Sequence, residues 1–289
     1  MKLSIVILNY NTKDLTLKCV ESIIQNTKNL DYDGVTRFSY EIIVVDNGST
    51  EKIDKNKKYI LISNDENLGF AGGNNSARKI AKGTYVLFLN SDTEVYKGTL
   101  QETVKYLDEH GEVGSLTCKT VLSNGKLDRD ARRSFPTPWV ALTHFSGLDR
   151  IFPKSNIFSR YWYGYKSADE IQEIQALQGA YFLTRKKILD EVNWFSEDYF
   201  LDGEDIDLSW KILHAGYKNI YYPKVSVLHI KKASKRKRSL KSMMAGMNSM
   251  EIFFKLRLWQ NYPLILNLTV ILAIYFLKTI RLVRIIIKK

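Results

Sequence analysis

The stretch LSIVILNYN, residues 3–11, decides the fold class. Residues 3–8 are an almost unbroken run of aliphatic and β-branched side chains, which is typical of a parallel strand covered on both faces of its sheet. Asn9, Asn11 and Thr12 then end the run with side chains that favour turns and helix starts. The stretch therefore predicts a buried strand with a polar carboxyl end.

The same pattern returns twice further along the chain. YEIIVV at 40–45 precedes Asp46-Asn47-Gly48-Ser49, and TYVLFL at 84–89 precedes Asn90-Ser91-Asp92. In a parallel sheet the carboxyl ends of the strands meet at one edge, and ligands bind just outside that edge. We therefore expect the three polar clusters to converge on one site.

Helical spacing separates these strands. A helix is predicted after residue 13, a short strand at 59–62 and a second helix at 74–82. This alternation predicts an α/β fold with a doubly wound, mostly parallel sheet and flanking helices.

The second half of the chain carries weaker patterns. From about 120 to 170 it is rich in arginine, proline and aromatic residues without clean periodicity, and we interpret it as helices and loops packed beside the sheet. Beyond it we predict strands at 178–184 and 225–230, and helices at 185–191 and 205–215.

Composition limits the classes of protein that this chain can represent. Of its 289 residues, 45% are hydrophobic and 26% are charged, which excludes a disordered tail and a polytopic membrane protein. The net charge of +12 calls for an anionic partner. The two cysteines make no disulfide framework, and residues 3–8 are too short for a signal peptide. We therefore expect a reducing, cytoplasmic setting.

The C-terminal part from 231 to 289 is predicted to be a basic and amphipathic helical extension. Residues 231–241 are dense in lysine and arginine, and 264–277 are apolar but short for a membrane span. The spacing of Lys278, Arg281, Arg284 and Lys288 predicts one basic helix face, typical of a helix lying on an anionic membrane surface. A tail helix docked on the domain and a solvated basic face are the alternatives. Nucleic acid is not expected, because no reader motif accompanies the charge.

Asp92 is a candidate metal ligand. It follows a buried strand, and Asn90 two residues earlier would point the same way on an extended segment. Oxygen ligands of this kind suit Mg²⁺ or Mn²⁺ bound together with substrate phosphates. The alternative is that Asp92 starts a turn or caps a helix. Asp46 has the same two interpretations, as a turn residue or as a contact to a nucleotide.

Three further features carry candidate chemistry. The stretch NLGFAGGNN at 67–75 is either a flexible loop or a loop facing a phosphate or ribose. The turn DGEDID at 202–207 holds four carboxylates among apolar neighbours, which favours a general base over a solvated loop but does not say which carboxylate acts. His229 is a structural or exposed histidine, a ligand for Mn²⁺ or a contact to the diphosphate.

Taken in this order, the segments resemble family 2 glycosyltransferases of the GT-A fold, and among them the rhamnosyltransferase-like branch. The resemblance covers about residues 1–230, which we expect to form a GT-A domain with a nucleotide-binding half at 1–118 and an acceptor half at 119–230. It rests on SIVILNYN at 4–11, EIIVVDNGST at 41–50, NLGFAGGNN at 67–75, FLNSDTEV at 88–95, QGAYFL at 178–183 and FLDGEDIDLSW at 200–210.

The resemblance implies roles for individual residues. Asp205 is the expected catalytic base with Glu204 beside it, and Asp92, Asn90 and His229 are the expected metal ligands for Mg²⁺ or Mn²⁺. Residues 132–138 lie where the family has a stretch near the acceptor site. The residues expected to bind the nucleotide sugar are Asn9, Asn11, Asp46, Asn67, Gly69, Gly72, Asn74 and Ser91.

The implied reaction is a single inverting displacement. A sugar, with dTDP-rhamnose as the donor that the branch suggests, would pass from its nucleotide to a glycan or polyprenyl-diphosphate-linked acceptor at the cytoplasmic face of the cell membrane. A sugar nucleotidyltransferase and an inactive nucleotide- or glycan-binding module are the alternatives. The first would be expected to begin with a glycine-rich phosphate loop, which residues 3–14 lack.

The chain departs from the family pattern at three places. Asn90 replaces the first aspartate of the metal motif, Lys211 stands where arginine is common, and Asn193-Trp194 replaces a turn that commonly contains glycine. None of these departures removes Asp92 or Asp205.

Overall fold

A computed structural model of the chain describes residues 1–27, 38–231 and 240–287, with the backbone alone for 240–243 and 284–287. The described strands join in a single sheet. They are β1 (Leu3–Asn9), β2 (Tyr40–Asn47), β3 (Ile60–Asn64), β4 (Tyr85–Asn90), β5 (Thr93–Val95), β6 (Val113–Leu122), β7 (Gln172–Glu173), β8 (Tyr181–Arg185) and β9 (Lys218–His229).

Helices cover both faces of this sheet and extend beyond it. They are α1 (Lys13–Thr27), α2 (Gly69–Asn75), α3 (Thr99–Glu109), α4 (Pro138–Phe145), α5 (Leu148–Ile151), α6 (Lys186–Glu191), α7 (Glu204–His214), α8 (Leu240–Phe253) and α9 (Leu264–Ile287). Between α8 and α9 the chain forms a π-helical turn, Phe254–Leu258, and a short 3-10 turn.

The sheet has a parallel half and a mixed half. Strand order is β3-β2-β1-β4-β8-β6-β9-β5, with β7 pairing with β9. The first four strands of that order are parallel, as the alternation of strands and helices predicts. Beyond β4 the sheet is mixed, because β8 runs antiparallel to β4 and β6 while β6 and β9 are parallel. The predicted doubly wound α/β class is confirmed.

The helix predicted at 74–82 is wrong, because the helical turns lie earlier, in α2. The glycines allow this, since α2 packs directly on the sheet: a Cβ at Gly73 would lie 2.5 Å from Leu8 Cδ1 and 2.9 Å from Asn47 Nδ2. The strand β6 was not predicted either. It buries small polar side chains, including Ser115 and Thr117, so its pattern does not resemble an apolar run.

The C-terminal helices pack on the helix that carries the acidic turn. Phe253 of α8 and Leu258 share an apolar cluster with Ile206 of α7. Arg257 binds the fully buried Asp207 of α7 through two contacts of 2.7 and 3.2 Å. This arrangement fastens the extension to α7. The division of the chain near residue 230 stays a prediction.

Helix α9 has one face on the protein and one face outward. Asn267, Ile274 and Lys278 are buried, and Lys278 Nζ binds Glu251 of α8 at 2.7 Å. The prediction that Lys278 shares an outward basic face is therefore wrong for this residue. The outward side chains of α9 are mostly apolar and include Leu264, Ile265, Leu268, Leu272 and Phe276. Arg281, from the predicted basic face, is exposed as well.

By length and composition, Leu264–Val283 is the one stretch among the described residues that is able to cross a membrane. In its most apolar part, 17% of this helix is buried in the protein. It is therefore not a core helix. Residues 232–239 of the basic run, and Lys288, lie outside the described residues.

Candidate active site

Asn9, at the carboxyl end of β1, organises the first corner of the candidate site. Its Nδ2 donates to Asp46 Oδ1 at 3.3 Å and to Ser49 Oγ at 2.9 Å, and its Oδ1 accepts from Thr16 Oγ1 at 2.9 Å. The backbone N–H of Asn11 also donates to Ser49 Oγ, at 3.0 Å. Because β1 and β2 are parallel with Asn9 opposite Asp46, the polar ends of the two strands meet.

The carboxylate of Asp46 is fully buried and bonded within its own turn. Oδ1 also accepts from the Ser49 N–H at 3.2 Å, and Oδ2 accepts from the Ile53 N–H at 3.3 Å. These bonds account for the interpretation of Asp46 as a turn residue. Its contact to a nucleotide stays a prediction.

Asn47 fastens the glycine-rich stretch to the sheet, a role that the sequence analysis missed. Its Nδ2 donates to Asn67 Oδ1 at 3.0 Å and to the Gly69 carbonyl at 2.9 Å. Gly69 has φ +77°, and a Cβ there would lie 2.3 Å from the Phe200 carbonyl oxygen. Glycine is required at this position, since it alone fits both the left-handed backbone and the close approach to Phe200.

Protein atoms surround the other residues expected in this stretch. A Cβ at Gly72 would lie 3.1 Å from Leu68 Cβ. Asn74 is buried, and its Nδ2 donates to the Phe70 carbonyl at 2.9 Å. Packing within the protein explains why glycine and asparagine stand at these two positions. Their contacts to a nucleotide sugar stay predictions.

The chain turns directly after β4. Because Ser91 and Asp92 form this turn, Asn90 and Asp92 do not lie on one extended segment, and the expectation that they do is wrong. The Ser91 Oγ lies 3.0 Å from Thr12 Oγ1, which links the turn to the segment after β1. The polar ends of β1, β2 and β4 thus adjoin one another.

Asp92 and His229 form a buried pair beside this turn. Asp92 Oδ1 lies 3.2 Å from His229 Nε2. The pair arises because β5 and β9 are antiparallel, with Thr93 opposite His229 and the Ile230 N–H donating to the Asp92 carbonyl at 2.9 Å. The sequence analysis selected both residues, from positions 137 apart, and the fold brings them together.

Asp128 lies behind His229 and was missed by the sequence analysis. Its Oδ2 lies 3.1 Å from His229 Nδ1 and accepts from Gln178 Nε2 at 3.1 Å, and its Oδ1 accepts from Lys231 Nζ at 2.8 Å. Burial lowers the pKa of His229, but its bonds to Asp128 and Asp92 outweigh this effect and raise the pKa to about 9. No motif marks Asp128, since it lies in a loop far along the chain from His229.

These residues fit a divalent cation held together with a diphosphate. Within the described parts of the chain, no group of three or more His, Cys, Asp and Glu side chains is arranged to hold a metal ion alone. Asp92 and His229 supply one carboxylate and one imidazole, and Asp128 fixes the imidazole from behind, as carboxylates do in histidine metal sites. Substrate phosphates would complete the coordination, as is usual for Mg²⁺.

The carboxylate of Asp205 lies at the start of α7 and is buried against Arg133. Its Oδ2 accepts from Arg133 Nη2 at 2.6 Å and from the Gly179 N–H at 3.0 Å. Arg133 also donates to the Leu177 carbonyl. Asp205 Oδ1 accepts from the Ile206 N–H at 2.8 Å. Three donors therefore fix the carboxylate of Asp205. Sequence reasoning marked residues 132–138 as near the acceptor site but did not select Arg133.

Glu204 differs from its neighbour in its hydrogen-bond partners. It is buried, and its Oε2 has no hydrogen-bond partner among the described residues. Burial, followed by the charges of Asp205 and Asp202, raises the pKa of Glu204 well above its ordinary value. The raised pKa expected for a carboxylate in this turn thus belongs to Glu204, whose surroundings favour the neutral form of its side chain. Asp207 is occupied by Arg257, as described above.

Gln178 and Gly179 connect the two halves of the site. The side chain of Gln178 donates to Asp128 on the His229 side, and the N–H of the next residue donates to Asp205. The Asp92–His229 pair and the acidic turn that contains Asp205 therefore lie on either side of one short segment, residues 178–179. This juxtaposition gives a single candidate site with a candidate cation-binding side and a candidate base.

Two of the departures from the family pattern contact each other. Asn193 and Trp194 have φ values of 58° and 51°, and Lys211 Nζ donates to the Trp194 carbonyl. Non-glycine residues in this region cost of order 1 kcal/mol each. Lys211 holds the turn from α7, so the two departures stabilise one another.

The family assignment follows from a comparison with known sequence families. Residues 4–192, well over half of the chain, match the family described as glycosyl transferase family 2. This chain belongs to that family. The match includes β1, β2 and β4 with their polar ends but stops before the acidic turn and His229.

Curated relatives of this family 2 chain are similar over shorter stretches. A poly(ribitol-phosphate) beta-glucosyltransferase of Bacillus spizizenii is 40% identical over 101 residues, which are 32% of this chain and 15% of that protein. The WfaP protein of Escherichia coli, a UDP-Glc:alpha-D-GlcNAc-diphosphoundecaprenol beta-1,3-glucosyltransferase, is 41% identical over 97 residues, 31% of this chain and 34% of that protein. The matched region is a minor part of both relatives.

Solved structures share the fold of this family 2 chain. TarS of S. aureus, residues 1–349 with UDP, superimposes with a TM-score of 0.56 at 18% identity, over 87% of this chain and 65% of that one. The mannosyltransferase PcManGT of Pyrobaculum calidifontis, with GDP-Man and Mn²⁺, gives 0.55 at 18% identity, over 86% and 64%. At these identities the likeness concerns the fold alone.

Asp128→Asn is expected to weaken the binding of Mn²⁺ and nucleoside diphosphate by about 10- to 100-fold. The amide removes the charge that orients His229 Nε2 toward Asp92. Calorimetry of Mn²⁺ with a nucleoside diphosphate measures the effect. Asp130→Asn is the matched control, because Asp130 binds Lys231 and Trp162 in the same loop without touching His229. An equal loss in both variants would contradict the assignment to His229.

Proposed function

We propose that this chain transfers a sugar, with inversion, from a nucleotide-sugar donor to a hydroxyl group of a glycan or polyprenyl-diphosphate-linked acceptor during synthesis of a cell-surface polysaccharide. The observation that carries the proposal is the connection made by Gln178 and Gly179. Through it, the Asp92–His229 pair and the Asp205 carboxylate belong to one site at one sheet edge.

On the donor side, Asp92 and His229 would hold Mg²⁺ or Mn²⁺. Such a cation, when bound, neutralises the nucleoside diphosphate as it leaves the sugar. Asn90 adjoins this pair in sequence and is proposed as an additional oxygen ligand. The Mn²⁺ in the PcManGT structure supports the choice of cation.

On the acceptor side, Asp205 takes the proton of the attacking hydroxyl. Arg133 and the Gly179 N–H hold its Oδ2, so the carboxylate keeps one orientation and its charge is balanced. The surroundings of Glu204 beside it favour its neutral form, and we assign it a hydrogen bond to the acceptor rather than the removal of a proton. The two carboxyl groups thus have different tasks because their surroundings differ.

The donor is a nucleoside diphosphate sugar. The branch resemblance favours dTDP-rhamnose, and the names of the Bacillus and E. coli relatives, both glucosyltransferases, favour a glucose donor. The test is a donor panel containing dTDP-rhamnose and UDP-glucose, with Mn²⁺ or Mg²⁺ and a lipid-linked acceptor, scored by nucleoside diphosphate release. Release that requires the acceptor is expected. A nucleotidyltransferase would instead release pyrophosphate from a nucleoside triphosphate, and an inactive binding module would release nothing.

We also propose that the chain associates peripherally with the cytoplasmic face of the cell membrane through α9. Asn267 binds the Trp259 carbonyl at 2.9 Å, and Lys278 binds Glu251, so α9 is fastened along the protein at two points. Its opposite face presents leucine and phenylalanine side chains, which favours a helix lying in the membrane interface.

Replacing Leu268 and Leu272 together by asparagine is expected to lower binding to anionic vesicles about tenfold or more. Cosedimentation with vesicles measures the change. The matched control replaces two exposed apolar residues of the nucleotide-binding half, Leu17 and Ile60, by asparagine. Unchanged vesicle binding in the α9 variant would contradict the proposal.

A further inference from the structure

A second apolar surface, here called the α4–α5 surface, lies outside the features used so far. Leu142, Phe145 and Ile151 are 58%, 53% and 67% exposed. Trp139 and Phe152 both contact the ring of Phe158, at centroid distances of 6.1 and 5.3 Å, which connects the start of α4 with the residue after α5. Monomeric soluble proteins rarely expose apolar patches of this kind without an interaction to cover them. Its members are Trp139, Leu142, Phe145, Ile151, Phe152, Ile157 and Phe158.

The exposed residues are not the ones that hold α4 in place. Val140 and Thr143, on the other side of α4, are buried. His144 Nδ1 binds the buried Asp149 of α5 at 2.7 Å, and its ring lies 4.6 Å from that of Tyr161. The two helices are therefore anchored by their inner side chains, and the outer apolar side chains remain to be explained.

The positive charge around the α4–α5 surface favours an anionic partner. Arg150, Lys154 and Arg160 are exposed. Between residues 138 and 160 the one carboxylate is Asp149, which is buried against His144. Apolar side chains beside cations, without an exposed carboxylate, fit the interface of an anionic membrane. A second copy of this chain would bring the same positive charge and be repelled.

The surface is coupled to the base side of the site. The Ser134 N–H donates to the Tyr161 carbonyl at 2.8 Å, so the segment that leaves Arg133 is fastened beside the ring that packs on His144. Arg133 binds Asp205. We propose that the α4–α5 surface inserts into the interface of an anionic membrane and keeps the Asp205 side of the site at the level of lipid-bound molecules.

This surface is distinct from α9 and gives the protein a second contact with lipid. The lipid contact stands without any assumption about the reaction. The clause that lipid-bound molecules are presented to Asp205 rests on the proposed function.

The test places a polarity-sensitive fluorophore on the surface of the full chain. Phe145→Cys is labelled, which is feasible because the natural cysteines, Cys19 and Cys118, are buried at 1% and 0% exposure. With vesicles containing phosphatidylglycerol we expect a blue shift and quenching by brominated acyl chains. Leu17→Cys, on the exposed side of α1, is the matched control and is expected to show neither change.

Two results would overturn the proposal. One is an unchanged Phe145→Cys probe under conditions in which a probe at Leu272→Cys of α9 responds to the same vesicles. The other is a shift that appears with rising protein concentration in the absence of vesicles, since it would identify self-association as the use of the surface.

A triple variant, Leu142→Asn, Phe145→Asn and Ile151→Asn, gives a second measurement. We expect its vesicle binding to fall about tenfold or more, with transfer to a short soluble acceptor unchanged. Unaltered vesicle binding contradicts the proposal. If no donor supports transfer while the probe still enters the lipid, the proposed function fails and the membrane surface stands.

Discussion

Asp205→Asn is expected to lower sugar transfer by roughly 100- to 10,000-fold, the range that a general base contributes. The amide accepts no proton from the acceptor hydroxyl, and Arg133 loses the carboxylate that balances its charge. The measurement is acceptor-dependent release of nucleoside diphosphate. Because the substitution leaves Arg133 buried beside a neutral amide, its melting temperature is measured as well.

Glu204→Gln is the matched control for this experiment. Burial and the neighbouring carboxylates raise the pKa of Glu204, which favours its neutral form, and the amide of glutamine resembles that form. We expect a loss of about tenfold or less, in line with one altered hydrogen bond. Both variants should bind nucleoside diphosphate like the natural chain. Wild-type transfer by Asp205→Asn, with a large loss in Glu204→Gln, would make Glu204 the base.

Asp92→Ala is expected to weaken Mn²⁺-dependent binding of nucleoside diphosphate by about 100-fold or more, because the proposed carboxylate ligand is removed. Transfer should fall in parallel. Thr12→Ala alters the adjoining turn at the Ser91 hydroxyl and leaves Asp92 and His229 intact, so it serves as the matched control. Full Mn²⁺ dependence in Asp92→Ala would contradict the assignment of this edge.

The same site predicts a pH dependence with a definite sign. The bonds to Asp128 and Asp92 raise the pKa of His229 to about 9, from an ordinary value of 6.5. A cation requires the neutral imidazole, so its affinity should rise with pH up to about 9 and each binding event should release a proton. The folding stability of the metal-free chain should instead fall as the pH rises. The contribution of protonated His229 to this stability is complete below pH 6.5 and is lost as the pH passes 9.

His229→Gln should abolish this pH dependence. Calorimetry in two buffers of different ionisation enthalpy counts the released protons, and thermal melting follows the stability of the metal-free chain. If the variant still releases a proton on binding Mn²⁺, the titrating group is not His229.

The parallel half of the sheet was predictable because the local sequence pattern of each strand indicates a buried strand. Runs such as 3–8 and 84–89 are apolar on both faces, and the polar residues after them mark the ligand-binding edge. The strand β6 escaped prediction, since it buries serine and threonine side chains and therefore lacks an apolar run. Ser115 Oγ, for example, donates to Asn219 Oδ1 at 2.6 Å.

In the candidate site, too, some residues were predictable from the sequence and others were not. Asp92, His229, Glu204 and Asp205 were selected from sequence patterns and resemblance. Asp128 and Arg133 were not, because neither belongs to a motif that carries chemistry by itself.

The sequence by itself determined the α/β class, the polar edge at Asn9, Asp46 and Asp92, and membership of a glycosyltransferase family. These features depend on the order of residues in short segments. Tertiary structure alone decided that Asp128 stands behind His229, that Arg133 holds Asp205 and that Asp207 belongs to Arg257. The physical reason is that burial and partners fix the charge and orientation of a carboxylate, and both come from segments distant in the chain.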